Sequence, residues 1–316
     1  MGRFYKLAQP DGFDFYTGKT INYRDNIGGT VCVPPISTST KRQPNEPILC
    51  SENVIHASRK PLDCFVGAKI PCSAYLVKGN PVVEDSQKCG FFQLDILEEI
   101  EDKDELFGFN YTEACNPINP LLIESKPLED YHKELLKQWA SVRAPVRASV
   151  RASVWASVGD SVWASVWDSV GDSVWASVWD SVWDSVRDSV RASVGDSVWD
   201  SVGSSVGASV GASVLASVRA SVWDSVWASV WDSVWDTVWE SVRESVWASV
   251  GALFYLRRSQ WKYTEKIKTK GYPFQCAVDL WKQGLVPSFD GTFWRLHSGK
   301  KAKVVFKISQ KKLRRL

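Results

Sequence analysis

The chain has 316 residues, 44% of them hydrophobic, with 38 Lys+Arg against 36 Asp+Glu and a formal charge of +2. No run approaches 18 apolar residues, which excludes a membrane-spanning helix. The seven cysteines form no C-x-x-C pair and are irregularly spaced, which argues against a zinc module and against a disulfide scaffold.

Reduced thiols suit a cytoplasmic protein. The opening Met1–Lys6 is followed by no apolar core of signal-peptide length, and Lys6 stands where a myristoylation signal needs Ser or Thr. The small net charge hides a segregation. Residues 1–139 carry 15 cations against 20 acids, the next stretch to 256 carries seven against 13, and residues 257–316 carry 16 against 3.

Residues 1–126 read as a small α+β domain. Gly28-Gly29 is a turn ahead of Thr30–Val33, and Ser37–Pro47 is a polar loop. Ser73–Val83 reads as a hairpin turning at Lys78-Gly79-Asn80, Phe91–Ile100 as a further strand, and Asp102–Phe107 as a short helical turn.

The motif-like segment is Cys50 to Phe65, with His56, Ser58, Pro61, Leu62, Asp63 and Cys64. Here the chain resembles an uncharacterised family of phage and environmental bacterial proteins. Its members carry a similar His-x-Ser/Cys segment and Asn-Pro-Leu-Asp-Cys ahead of low-complexity tandem repeats. The likeness extends to the repeat itself and to Tyr272-Pro273-Phe274-Gln275 and Leu285–Gly291. Lys60 replaces the Asn expected before Pro61. The resemblance implies no established activity.

His56, with Glu99 and Glu101 of a later E-x-E, is the candidate catalytic set. A histidine and such an acidic pair are the parts of an ADP-ribosyltransferase site, where an acid orients a ribose and activates a nucleophile. A structural His56 bonded to backbone is the competing reading and the favoured one. A Cys64–His56 dyad is weaker still, because no third group orients the imidazole. There is no glycine-rich phosphate loop and no cofactor is expected.

Pro127–Trp139 reads as an amphipathic helix, with Leu128, Tyr131, Leu135 and Trp139 on one side and Ser125 as its cap. It opens residues 127–256, the repeat region. From Val142 to Val250 every fourth residue is Val, 28 in all, in a Ser-Val-X-Z phrase. X is Trp, Arg or Gly, and Z is Ala or Asp. The Ser column departs at Pro145 and Thr237, and the Z column at Ser204, Glu240 and Glu244.

Trp, Arg and Gly are single-base neighbours, so the region reads as an expanded twelve-nucleotide unit that drifted. Copying alone predicts equal scatter in every column. The invariant Val, sampled at Val142, Val166, Val190, Val214 and Val238, is therefore expected to be buried and X to be peripheral.

A helix is the expected form, as a rod or long hairpin, and a β-solenoid is the alternative. A step of four residues turns a Val stripe about 40° per repeat around a helix. A β form would put Asp on the Val face at a desolvation cost. A helical span would be about 165 Å long and would fold back or self-associate to cover its stripe. Gly203, Gly207 and Gly211 mark the expected hairpin point.

Residues 257–316 read as a basic helix-plus-hairpin segment. Gln275–Gln283 is the helix, stopped by Gly284, and Phe293–Leu296 and Ala302–Ile308 are strands joined through Ser298-Gly299-Lys300. His297 reads as a turn residue and the last residues as a frayed tail.

The expected function is a non-enzymatic scaffold or interaction protein, with self-association and with nucleic acid as a partner for the basic segment. Two alternatives stand beside it. One is the ADP-ribosyltransferase-like enzyme. The other is a Trp/Arg surface, sampled at Trp163, Trp167, Trp223, Trp227 and Trp231, that stacks on bases or sugars.

Overall fold

A computed structural model describes residues 2–33, 47–124, 127–170, 174–206 and 236–316, with backbone alone for 193–195 and 197–206. The architecture is mixed α/β, with three antiparallel sheets among the described residues. This corrects the expected α+β end domains joined by a helical rod or long hairpin, and the β-solenoid as well. The described repeat residues are helical, but in separate lengths that lie within two units, each shared with sheet.

The first unit takes residues 1–117, 152–171 and 253–256. Strands β1 (Gly2–Ala8), β2 (Thr30–Cys32), β4 (Ser73–Gly79) and β7 (Gln93–Glu99) form a sheet in the order β1-β4-β7-β2. Strands β3 (Ile55–Ala57), β5 (Val83–Glu84) and β6 (Cys89–Phe91) form a second, ordered β3-β6-β5. Phe4, Tyr75, Val77, Phe91, Leu94 and Ile96 fill the core between them. The expected hairpin at Ser73–Val83 does not form. β4 pairs with β1 and β7, and Val83 pairs instead with Gly90. Burial on both faces makes β4 a central strand, which alternation alone did not reveal.

Two short helices follow, α1 (Lys103–Phe107), capped by Asp102, and α2 (Tyr111–Cys115), capped by Asn110. The repeat enters this unit as the second half of α4 (Val146–Val158) and as α5 (Asp160–Val170). Between them Gly159 has φ +89, a left-handed backbone that β-branched or aromatic residues rarely adopt. In α5, Val162, Val166 and Val170 are buried. Ser165 Oγ accepts from Ile70 N at 2.8 Å, and Ser169 Oγ donates to the Ala114 carbonyl at 2.9 Å. In α5 these two serines therefore dock on neighbouring backbone.

The second unit takes residues 118–151, 172–252 and 257–316. Its helices are α3 (Asp130–Val142), the first half of α4, α6 (Ala176–Val206), α7 (236–252) and α8 (Gln275–Lys282). Helix α3 begins later than expected, and its cap is made by Glu129 N donating to His132 Nδ1 at 3.0 Å. The expected cap, Ser125, lies outside the described residues, and Tyr131 is exposed rather than in the apolar stripe. Pro145 stands just before α4, where its carbonyl accepts from Ser149 N at 2.9 Å and a missing N–H costs nothing.

Strands β8 (Val286–Phe289), β9 (Phe293–Ser298) and β10 (Lys303–Ser309) form the third sheet, in the order β10-β9-β8. β8 was not expected, because Pro287 broke its strand signal. It runs along a sheet edge, where a missing donor is tolerated. The tail is not frayed at once: α9 (Gln310–Leu313) follows β10, and Leu313 is buried.

The drift of the Val stripe explains why a rod is not formed. In α6 and the residues before it, Val174, Val178, Val182 and Val186 are buried and Val190 is only half-buried. Four steps have turned the stripe through about 160°, away from what it packs on. In the shorter α5, Val162, Val166 and Val170 all stay buried. Gly203 lies inside α6, so it is not the hairpin point; Gly207 and Gly211 fall outside the described residues.

Candidate functional site: a cavity at His56 and a basic sheet edge

His56 sits on β3, paired with Gly90 of β6. It lines a cavity of about 290 Å³ in the first unit, together with Lys6 and Asp14, Cys50, Cys64 and Lys88. β1 delivers Lys6 through the pairing of its neighbour Tyr5 with Ser58. Lys6 Nζ lies 2.6 Å from Asp14 Oδ2, both side chains nearly enclosed. Tyr23 donates to the same oxygen at 2.9 Å, and the amides of Tyr16 and Thr17 donate to Oδ1 at 2.8 and 3.1 Å. Burial is the largest influence on Asp14 and pushes its carboxyl up. Lys6 and the Thr17 and Tyr16 amides together outweigh it and hold the group well below the carboxylate range. Burial, then Asp14, pushes the Tyr23 hydroxyl up.

Cys50 has φ +60, and its amide donates to His56 Nε2 at 2.8 Å. Acceptance at Nε2 places the proton of the neutral ring on Nδ1. Burial, then Lys6 and Lys88, lowers the imidazole to about 4, so it is neutral at physiological pH. Lys88 is placed by a turn in which Asp85 Oδ1 accepts from its amide at 2.6 Å. Its Nζ reaches Cys50 Sγ at 3.7 Å. Cys64 lies in the 3-10 turn Pro61–Val66, and its Sγ donates to the Tyr5 carbonyl at 3.2 Å. Burial pushes this thiol up to about 11. A thiol committed to a carbonyl and held protonated is not an activated nucleophile.

The acidic pair of the ADP-ribosyltransferase reading is not brought to His56. Glu99, at the end of β7, is gripped by Arg24 through two bonds of 2.9 Å, and that fork holds its carboxyl low. Glu101 is exposed beyond the strand, and neither residue lines the cavity.

The repeat residues distribute unevenly. Val166 and Val238 are buried, Val142 and Val190 half-buried, and Val214 lies outside the described residues. Trp163 is 8% exposed and packs at 5.6 Å on the half-buried Trp167, so Trp163 offers little surface for stacking. Trp223, Trp227 and Trp231 lie outside the described residues. Trp179, Trp183 and Trp247 are also buried, so X is not uniformly peripheral; Trp167, Trp175 and Trp239 are half-buried, and Trp155, Arg147, Arg151 and Arg191 are exposed.

His297 is not a turn residue. It is enclosed on β9, with Nε2 2.7 Å from Ser288 Oγ and Nδ1 2.9 Å from the Ala302 carbonyl. The pair looks like a nucleophile and base, but both are sealed from solvent and a carbonyl, not a carboxylate, stands behind the ring. It pins β8, β9 and the turn before β10 together.

The basic segment presents its charge outward. No acid occurs from Gly291 to Leu316. Lys300, Lys301, Lys303, Lys307, Lys311, Lys312, Arg314 and Arg315 are all exposed around the edge strand β10 and helix α9. Arg295, by contrast, is buried and paired with Asp290 at 2.5 Å. Among the described residues no group of three His, Cys, Asp or Glu is set to hold a metal ion, and no helix is long and apolar enough to cross a membrane. Compared with known proteins, the chain matches no family model, no curated protein and no solved structure.

Proposed function

We propose that this chain is a non-enzymatic interaction protein that engages nucleic acid through the basic edge of its C-terminal sheet. The repeat serves as internal framework, its Val and Ser columns filling the two units. The observation that carries the reading is the acid-free stretch from Gly291 to Leu316, with eight exposed cations gathered on β10, α9 and the turn before them. Phosphate backbones bind such surfaces by counterion release, without a pocket. Phe293, half-buried with Lys307 Nζ 4.6 Å from its ring centre, adds an aromatic beside the cations.

The test is fluorescence anisotropy of the full chain with labelled single-stranded DNA and RNA across a salt series. Affinity that falls linearly in log–log form with salt, and that drops at least tenfold in a Lys303→Gln, Lys307→Gln, Lys311→Gln, Lys312→Gln variant, supports the reading. Salt-sensitive sedimentation of the chain on itself, with no oligonucleotide bound, replaces it by self-association between basic and acidic surfaces.

A further inference from the structure

The cavity at His56 has features the interaction reading does not use. Its volume of about 290 Å³ is at the lower end of what small-ligand pockets occupy. One part of the wall is apolar, from Leu7, Phe15, Val66 and Ala68. The other carries His56, Ser58 and Lys88. Three charged side chains line it. Lys6 and Asp14 neutralise one another at 2.6 Å, so they add no net charge. Lys88 forms no ion pair within 4.0 Å among the described residues; its ammonium lies 3.7 Å from the Cys50 sulfur, and the exposed Asp85 carboxylate feels its charge from farther off. His56 is neutral and, with Nε2 occupied by the Cys50 amide, carries its proton on Nδ1.

We propose that this cavity binds a small organic monoanion, a carboxylate with a compact apolar body. The carboxylate pairs with Lys88, and the body lies against Phe15, Val66 and Ala68. Among the described residues Lys88 is the one lining cation with no ion pair, and it matches one negative charge. A dianion would leave a charge unpaired in a partly desolvated site, and a cation would face Lys88 directly. The proposal is independent of the nucleic-acid surface, because every residue it uses lies between Lys6 and Lys88.

The experiment is isothermal titration calorimetry of the full chain with benzoate, benzylamine and inorganic phosphate. Saturable binding of benzoate, with at least tenfold weaker binding of the other two, is expected. Lys88→Met should weaken benzoate at least tenfold. Val66→Trp, at the exposed rim, should abolish it while the circular dichroism spectrum is unchanged. No saturable benzoate binding, equal binding of benzylamine, or full binding by Lys88→Met would each overturn the proposal.

Discussion

Arg143, at the C-terminal cap of α3, and Glu244 of α7, 101 positions apart, meet at 2.5 Å. Arg147 and Glu240 meet at 4.0 Å one repeat further along, in antiparallel register. Glu240 and Glu244 are the only glutamates of the Z column. Their departures from Ala and Asp are thus explained by partners rather than by drift. The longer Glu side chain reaches an arginine opposite. Arg143 also lies over the Phe289 and Trp294 rings, at 5.3 and 5.4 Å.

Breaking the inner pair should cost more than breaking the outer one. The Arg143 and Glu244 side chains are 21% and 12% exposed, whereas Arg147 and Glu240 are about half exposed. Arg143→Met should therefore destabilise by about 3 kcal/mol, because the buried Glu244 must then either stay charged without a partner or take up a proton. Arg147→Met should change stability by less than about 1 kcal/mol. Urea denaturation of both variants checks the order, and equal losses would contradict it.

Glycine at X position 251 is required by a close approach. A Cβ there would stand 2.5 Å from Tyr272 Oη, itself donating to the Ala248 carbonyl, and 3.0 Å from Val150 Cγ2. Gly251→Ala should lower stability by roughly 2 kcal/mol despite alanine's higher helix propensity. At Gly159, with φ +89, alanine should also destabilise, but through backbone strain in otherwise open space. Thermal melts of Gly251→Ala in a Tyr272→Phe background separate the two causes. Removing the Tyr272 hydroxyl relieves the nearest contact at 251, leaves the Val150 contact, and does nothing for the backbone strain at Gly159.

The pH dependence of stability has two opposed parts. Burial lowers His297 to about 4, and the unfolded group takes up its proton near 6.5. The unfolded chain then binds more protons between these values, so this stability is complete above pH 6.5 and is lost as pH falls to 4. For a fully enclosed ring the loss is on the order of 3 kcal/mol. His56 acts in the same sense. Burial raises Glu244 from 4.5 to about 7 against the pull of Arg143, so the fold holds the extra proton and its contribution falls as pH rises from 4.5 to 7. Removing one group at a time separates them. His297→Gln should flatten the acid slope, and Glu244→Gln should steepen it.

Thiol reactivity should follow exposure. Cys32 and Cys50 are exposed, whereas burial pushes Cys64 up to about 11 and Cys72 and Cys276 up to about 12. Iodoacetamide at neutral pH, followed by peptide mass spectrometry, should label Cys32 and Cys50 first. Cys64 labelling as fast as Cys50 would revive a Cys64–His56 dyad.

Local chemistry was legible in the sequence where short-range rules act. The helix over 275–283 with its stop at Gly284, the Gly299 turn and the short helical turn at Asp102–Phe107 all follow from neighbours in the chain. The burial of Ser165 and Trp163 was not legible, because it depends on which sheet and helices α5 meets. The failed rod has the same cause. Periodicity shows that Val must be covered, but only tertiary structure says by what. At the cavity, His56 was recognisable as a motif residue. Lys6, Asp14 and Lys88 reach it through pairing between strands far apart in sequence, and no local signal marked them.

The antiparallel register of Arg143 with Glu244 and Arg147 with Glu240 bears on how such a gene survives replication slippage. Gain or loss of a twelve-nucleotide unit replaces each Val by Val and each Ser by Ser, so the refilled core is chemically the same. The glutamates are singular. They act as fixed addresses in a self-similar text, and a slip between residues 151 and 236 leaves both addresses with their own neighbours. A slip between 143 and 147, or between 240 and 244, pulls one pair out of step with the other.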